Sequence, residues 1–148
     1  MSKSQTLAEI LATLDMVTDQ EERSALLIDF SDRFSEVPPS VATRPFPEDH
    51  RVKYCESEAY IWAVEQPDAT LKFYFAVENP SGISAKALAF VLDKALSGAP
   101  LEEVASVSPD IVHTIFRQNI SMGKGMGLMS MVEAVRNFAR QQLSKRKN

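Results

Sequence analysis

Cysteine is almost absent from this chain: Cys55 is the single one among 148 residues. One thiol forms no intrachain disulfide, and it supplies too few sulfur ligands for a cysteine-rich zinc or iron–sulfur site within one chain. Long apolar runs are absent too, none approaching the roughly 20 residues of a membrane span. The opening M-S-K-S-Q-T-L-A-E-I lacks the apolar stretch of a secretory signal, so a cytoplasmic protein with no membrane role is expected. An excess of positive charge is also missing. The 16 Lys and Arg stand against 20 Asp and Glu, a net charge of −4, which argues against a nucleic-acid-binding surface. The one basic cluster, Lys145-Arg146-Lys147, sits at the chain end and reads as solubilising.

What is present reads as an ordinary folded chain. With 45% hydrophobic and 24% charged residues it has enough apolar surface to build a core, and its length is that of one domain. A single domain over residues 1–148 is expected, with loose ends at about 1–5 and 143–148. Leu7, Ile10, Leu11 and Leu14 recur at helical spacing. Thr18 followed by Glu21 has the capping-box pattern and announces a second helix, whose apolar stripe is Leu26, Leu27, Phe30 and Phe34. Val37-Pro38-Pro39 stops it. The prolines through Pro45 and Pro47 deny a regular ladder, so residues 36–50 are predicted as a long ordered loop.

Beyond Arg51 the period changes. Residues 59–64 carry Tyr60, Ile61 and Trp62, and Leu71, Phe73, Phe75 and Val77 alternate, which predicts two strands. The short connection over 66–69, with Pro67 and Asp68, pairs them as an antiparallel hairpin. Ser84 is the expected cap of a helix through Leu96, closed by Gly98 and Pro100, and shorter helical pieces follow at 101–104 and 110–117. A glycine-rich turn, M-G-K-G-M-G, then leads into a last helix with Leu128, Met131, Val132, Val135 and Phe138 on one side. The fold class is α+β, a small antiparallel sheet packed against flanking helices.

Three features are candidates for chemistry. Cys55, in H-R-V-K-Y-C-E-S-E-A-Y, lies between a proline-rich loop and a strand, where a turn can present a side chain. A buried structural cysteine fits the same segment equally well. His50, Arg51 and Lys53 on one side and Glu56 and Glu58 on the other act on a thiolate in opposite senses, so the neighbours alone do not decide its nucleophilicity. His50 or His113 paired with Cys55 would make a thiol hydrolase, although surface and helix-face roles are the simpler reading of both histidines. The run Gly123-Lys124-Gly125-Met126-Gly127 offers backbone amides and a lysine to an anion, but it lacks the glycine spacing and the Ser or Thr of a P-loop.

Two separated motifs resemble the SufE family, sulfur acceptors that work beside pyridoxal-phosphate cysteine desulfurases in iron–sulfur cluster assembly. V-K-Y-C-E-S-E-A-Y is similar to the pattern around the family's acceptor cysteine, with Val52, Ser57, Ala59 and Tyr60 around Cys55. I-S-M-G-K-G-M-G-L-M-S-M is similar to the segment that begins the family's final helix, with Ser121, Gly127, Leu128 and Met131 in register. The order of elements agrees over most of residues 7–141. Three positions depart from the pattern: Tyr54 stands where glycine usually precedes the cysteine, Tyr60 where tryptophan is usual, and Lys124 where arginine is usual.

The resemblance implies a SufE-like fold and persulfide transfer onto Cys55, with His50, Arg51, Ser57, Tyr60 and Lys124 as supporting or partner-contacting residues. It implies a carrier rather than a stand-alone enzyme, with no cofactor in this chain and pyridoxal phosphate on the partner desulfurase. An iron–sulfur scaffold is a further implied partner. Tyr54, Tyr60 or Trp62 are expected to shelter the persulfide sulfur from solvent thiols and oxidants. The alternative is an interaction module that docks on a desulfurase or another partner without carrying sulfur.

Overall fold

Helices enclose a two-stranded hairpin in the computed structural model, which describes residues 6–147. Among these, α1 (Leu7–Asp15) and α2 (Gln20–Asp32) come first, then β1 (Ala59–Glu65) and β2 (Leu71–Val77). Four helices follow: α3 (Ile83–Leu96), α4 (Leu101–Ala105), α5 (Ile111–Phe116) and α6 (Met122–Lys147). Short 3-10 turns stand at Glu48–His50 and Arg117–Asn119. This is the expected α+β arrangement. Residues 1–5 and 148 of the expected loose ends lie outside the described residues, while 143–147 continue α6 as helix.

The strands pair antiparallel in a register running from Ala59 opposite Val77 to Glu65 opposite Leu71. Because strand side chains alternate, that register divides the hairpin into two apolar faces. Ala59, Ile61, Phe73, Phe75 and Val77 enter the main core with the helices. Tyr60, Trp62 and Ala76 face the other way and are covered by Val37 and Phe46 of the 36–50 loop. The long proline-rich segment is therefore a cover for the second face. It is tied to the sheet edge by the Val37 amide donating to Phe75 O at 2.8 Å, and Phe46 packs on Trp62 and Tyr60 with ring centroids 5.2 and 5.3 Å away.

Helix α3 is the central element, packed against α2 and β2, and α6 lies along α4 and β1. The α3 alanines at 85, 87, 89 and 95 are buried beside Leu88, Val91, Leu92 and Leu96, and small side chains let neighbouring backbones approach closely. Arg23 of α2 is also buried. Its guanidinium donates to Ile115 O at 2.8 Å, Thr114 O at 3.2 Å, Val17 O at 2.9 Å and Leu14 O, carbonyls at or just past the C-terminal ends of α1 and α5.

Several boundaries differ from the sequence expectations. The cap of α2 is Asp19, which accepts from the Glu22 amide at 3.0 Å, one residue beyond Thr18; either spacing reads as a cap, and the ionised carboxylate is the stronger acceptor for the helix N-terminus. Gly82 rather than Ser84 precedes α3. The segment over 110–117 is helical only from Ile111 to Phe116, and Arg117 takes up φ 49° at its end. The glycine-rich stretch is no turn. It forms the first two turns of α6, started by Ser121, whose hydroxyl accepts from the Lys124 amide at 3.2 Å and whose carbonyl accepts from the Gly125 amide at 2.9 Å.

Candidate functional site

The segment 51–58 leaves the 3-10 turn and doubles back before β1. Arg51 bridges Tyr60, and the Val52 amide donates to Ala59 O at 2.8 Å, so the loop closes on the strand that follows it. At its other end Ser57 O and Glu58 O accept from the amides of Asn79 and Glu78, both at 3.1 Å, which continues the hairpin pairing past β2. The Glu58 amide donates to Cys55 O at 3.2 Å. Within this frame Val52, Cys55 and Ser57 turn inward, while Lys53, Tyr54, Glu56 and Glu58 face solvent.

Cys55 is 6% exposed and joins the main core cluster. The residues on either side are its opposite. Tyr54 is 83% exposed, and the loop beside it forms an open recess whose rim carries Glu48, Asp49 and Glu56 against Arg51 and Lys53. Two backbone angles shape the loop: Tyr54 at φ 63° and Glu58 at φ 54° both lie in the left-handed region, which is disfavoured for side chains with a Cβ. The loop backs onto α6. A Cβ placed on Gly127 would lie 2.6 Å from Tyr54 O and 3.1 Å from Cys55 Cα, so the helix and the cysteine loop touch backbone to backbone.

The expected site residues divide between two places. Ser57 is buried beside Gly82 within the cysteine loop, and Arg51 lies at the loop base, 3.8 Å from Glu48. Lys124 is exposed on the first turn of α6, three residues before Gly127 and hence on the same side of the helix. His50 and Tyr60 are elsewhere. His50 stacks on Trp62 at 5.2 Å and its Nδ1 lies 2.9 Å from Ile61 O, while Tyr60 and Trp62 belong to the second face of the hairpin. A shelter for Cys55 built from Tyr54, Tyr60 or Trp62 is thus not what the structure has. Tyr54 points outward, the other two lie across the sheet, and the cover is the main core and the opening turns of α6. His113 is exposed on α5, with its ring edge near Gly125.

Residues 8–139 match the sequence profile of the SufE, Fe-S metabolism associated, domain. The chain belongs to the SufE family. In shape it is similar to the solution structure of a hypothetical protein from Thermus thermophilus, with a TM-score of 0.73, 22% identity, and 93% of this chain and 96% of that one covered. That likeness is one of fold. No curated protein matches the sequence.

Family membership gives the loop geometry its context. At φ 63° Tyr54 takes an angle that glycine adopts freely and that tyrosine holds at a cost of about 1–2 kcal/mol. The residue that sequence reasoning undervalues is Gly127. Three alternate glycines look like a turn, the motif resemblance marks Gly127 among them, and the fold supplies the reason in its missing Cβ. Arg23 is missed in the same way, although it precedes Leu27 and Phe30 by four and seven residues and so shares their buried helix face.

Proposed function

We propose that this SufE-family chain accepts persulfide sulfur from a pyridoxal-phosphate cysteine desulfurase onto Cys55, stimulates that enzyme by clearing its cysteine, and hands the sulfur to iron–sulfur cluster assembly in the cytoplasm. The observation that carries the reading is the single thiol of the chain held in a strained loop that borders the surface, within a domain of Fe-S metabolism. In the transfer step the Cys55 thiolate attacks the outer sulfur of the desulfurase persulfide. The sulfur–sulfur bond of the donor breaks, the donor cysteine leaves as a thiolate, and the new bond leaves Cys55 as the persulfide. No electrons are gained or lost overall, so the chain needs no cofactor of its own; pyridoxal phosphate acts on the partner, in releasing sulfur from cysteine.

The surface beside Cys55 suits such a partner. Tyr54 of the loop and Met122 and Met126 of the first turns of α6 are exposed apolar side chains. The recess beside Tyr54 carries both signs, Arg51 and Lys53 with Glu48, Asp49 and Glu56, and Lys124 is exposed on the first turn of α6. Because Cys55 is buried in the isolated chain, transfer requires the loop to move outward when the partner docks.

The burial of Cys55 also favours a second reading, in which the chain docks without carrying sulfur and the thiol is a core residue. Desulfurase turnover separates the two. Alanine release from cysteine is measured with the desulfurase of the same organism, alone, with the native chain, and with Cys55→Ser. Stimulation by the native chain that vanishes in Cys55→Ser is the expected result. Equal stimulation by both would replace the carrier with the docking module.

A further inference from the structure

We infer that Gly127 is the seat of the cysteine loop, so that the size of the side chain at position 127 sets how firmly Cys55 is withheld from solvent before a partner docks. The biological meaning of this rests on the carrier reading above; the contact itself does not. Three observations carry it. First, the atoms that a Cβ at 127 would meet are all main chain: Tyr54 O at 2.6 Å, Cys55 Cα at 3.1 Å and Tyr54 C at 3.4 Å. No rotamer change relieves such a contact, so either the loop or the helix must move.

Second, the neighbouring glycines do not share this constraint. A Cβ on Gly123 meets nothing within 4 Å, and one on Gly125 meets the flexible end of Ile120 at 3.3 Å. Glycine is a poor helix former at all three positions, and only at 127 does the packing require it. Third, the loop seated on Gly127 is strained at both ends, with φ 63° at Tyr54 and φ 54° at Glu58 bracketing Cys55. Such angles persist where surrounding contacts over-determine them. Here those contacts are the pairing of Val52 and Ser57 with the hairpin on one side and Gly127 on the other. Loosening the Gly127 side leaves the strain free to open the loop. Gly127 is thus a positioning residue for Cys55 and takes no part in the chemistry.

The test uses the full chain alone. Cys55 is its only thiol, so the rate of alkylation by a bulky maleimide reads the open fraction of the loop directly. Gly127→Ala should react at least about tenfold faster than the native chain, the factor that overpacking a closed contact corresponds to. Gly123→Ala, which adds the same methyl to the same helix in open space, should stay within about twofold of the native rate. Tyr54→Gly removes strain from the closed loop, partly offset by the greater freedom of glycine in the open one, and should react about two- to fivefold slower. Urea melts of each variant separate loop opening from global unfolding. A folded Gly127→Ala that reacts at the native rate, or no faster than Gly123→Ala, overturns the inference. Should Gly127→Ala fail to fold, Tyr54→Gly decides: slower alkylation supports the strained seat, and an equal or faster rate contradicts it. Sulfur loading by a desulfurase is scored separately on the native chain, so its failure would remove the carrier reading and leave the alkylation result standing.

Discussion

Arg23 shows how much one side chain can do in this fold. Its carbonyl acceptors come from α1, from the link after it, and from α5, so a single guanidinium on α2 joins three elements at their carbonyl ends. Burial and the nearby Arg117 weaken its hold on the proton, with Asp15 opposing them, yet an arginine stays charged throughout the accessible pH range. Arg23→Met keeps the volume and removes the donors. It should lower stability by about 3 kcal/mol, read as a fall in the urea midpoint, because the carbonyls at Leu14 and Ile115 lose their buried charged donor. Arg23→Lys should recover little of this, since one ammonium cannot span the same carbonyls. A loss below about 1 kcal/mol would mean that water replaces the guanidinium. The helix pattern of the sequence contains this residue in register with Leu27 and Phe30, but a charge on an apolar face reads as an interruption unless a partner is known, and the carbonyls it binds are up to 92 positions away.

At the level of elements, the start of α6 and the hairpin turn make separate predictions. Ser121 caps α6, and Ser121→Ala should cost about 1 kcal/mol in chemical denaturation. Gly123→Ala should offset a similar amount, because its Cβ points into open space within a helix. Opposite signs for two substitutions two residues apart would confirm that the glycine-rich segment is helical; two losses would restore the turn that composition suggests. In the hairpin, the Asp68 carboxylate accepts from the Thr70 hydroxyl at 2.6 Å and the Thr70 amide at 3.1 Å, and these bonds hold its pKa below the usual aspartate value. A lowered folded-state pKa means stability that is present above the unfolded value of 3.8 and is lost as pH falls through the folded value. Native chain and Asp68→Asn should therefore differ in urea midpoint at pH 7 and converge in acid. Helices and strands are legible in the sequence because apolar period and turn residues set them locally. The start of α6 is not, because the reason for helical glycine lies in a loop some 70 positions earlier.

Across the whole molecule, the hairpin separates two jobs. Its second face, with Tyr60 and Trp62, holds Phe46 and His50 of the 36–50 loop, and its core face meets Cys55 and the helices. Trp62→Ala should destabilise the chain by about 3–5 kcal/mol while leaving Cys55 alkylation in the folded state unchanged, since the two lie on opposite faces. The sequence motifs put Cys55 and Ser57 in one loop and Lys124 at the start of the last helix, because loop and helix start are each read locally. They do not say on which face Tyr60 and Trp62 lie, because strand alternation assigns a residue to one of two faces and both faces here are apolar.

The proposed carrier role requires that Cys55 receive sulfur. Intact mass under non-reducing conditions, after incubation with a cysteine desulfurase of the same organism and cysteine, tests it directly on the native chain and on Cys55→Ser. The expected result is a gain of one or more sulfur atoms on the native chain only, removed by reductant. An active desulfurase that binds the chain and leaves both masses unchanged, or loads both equally, would contradict it.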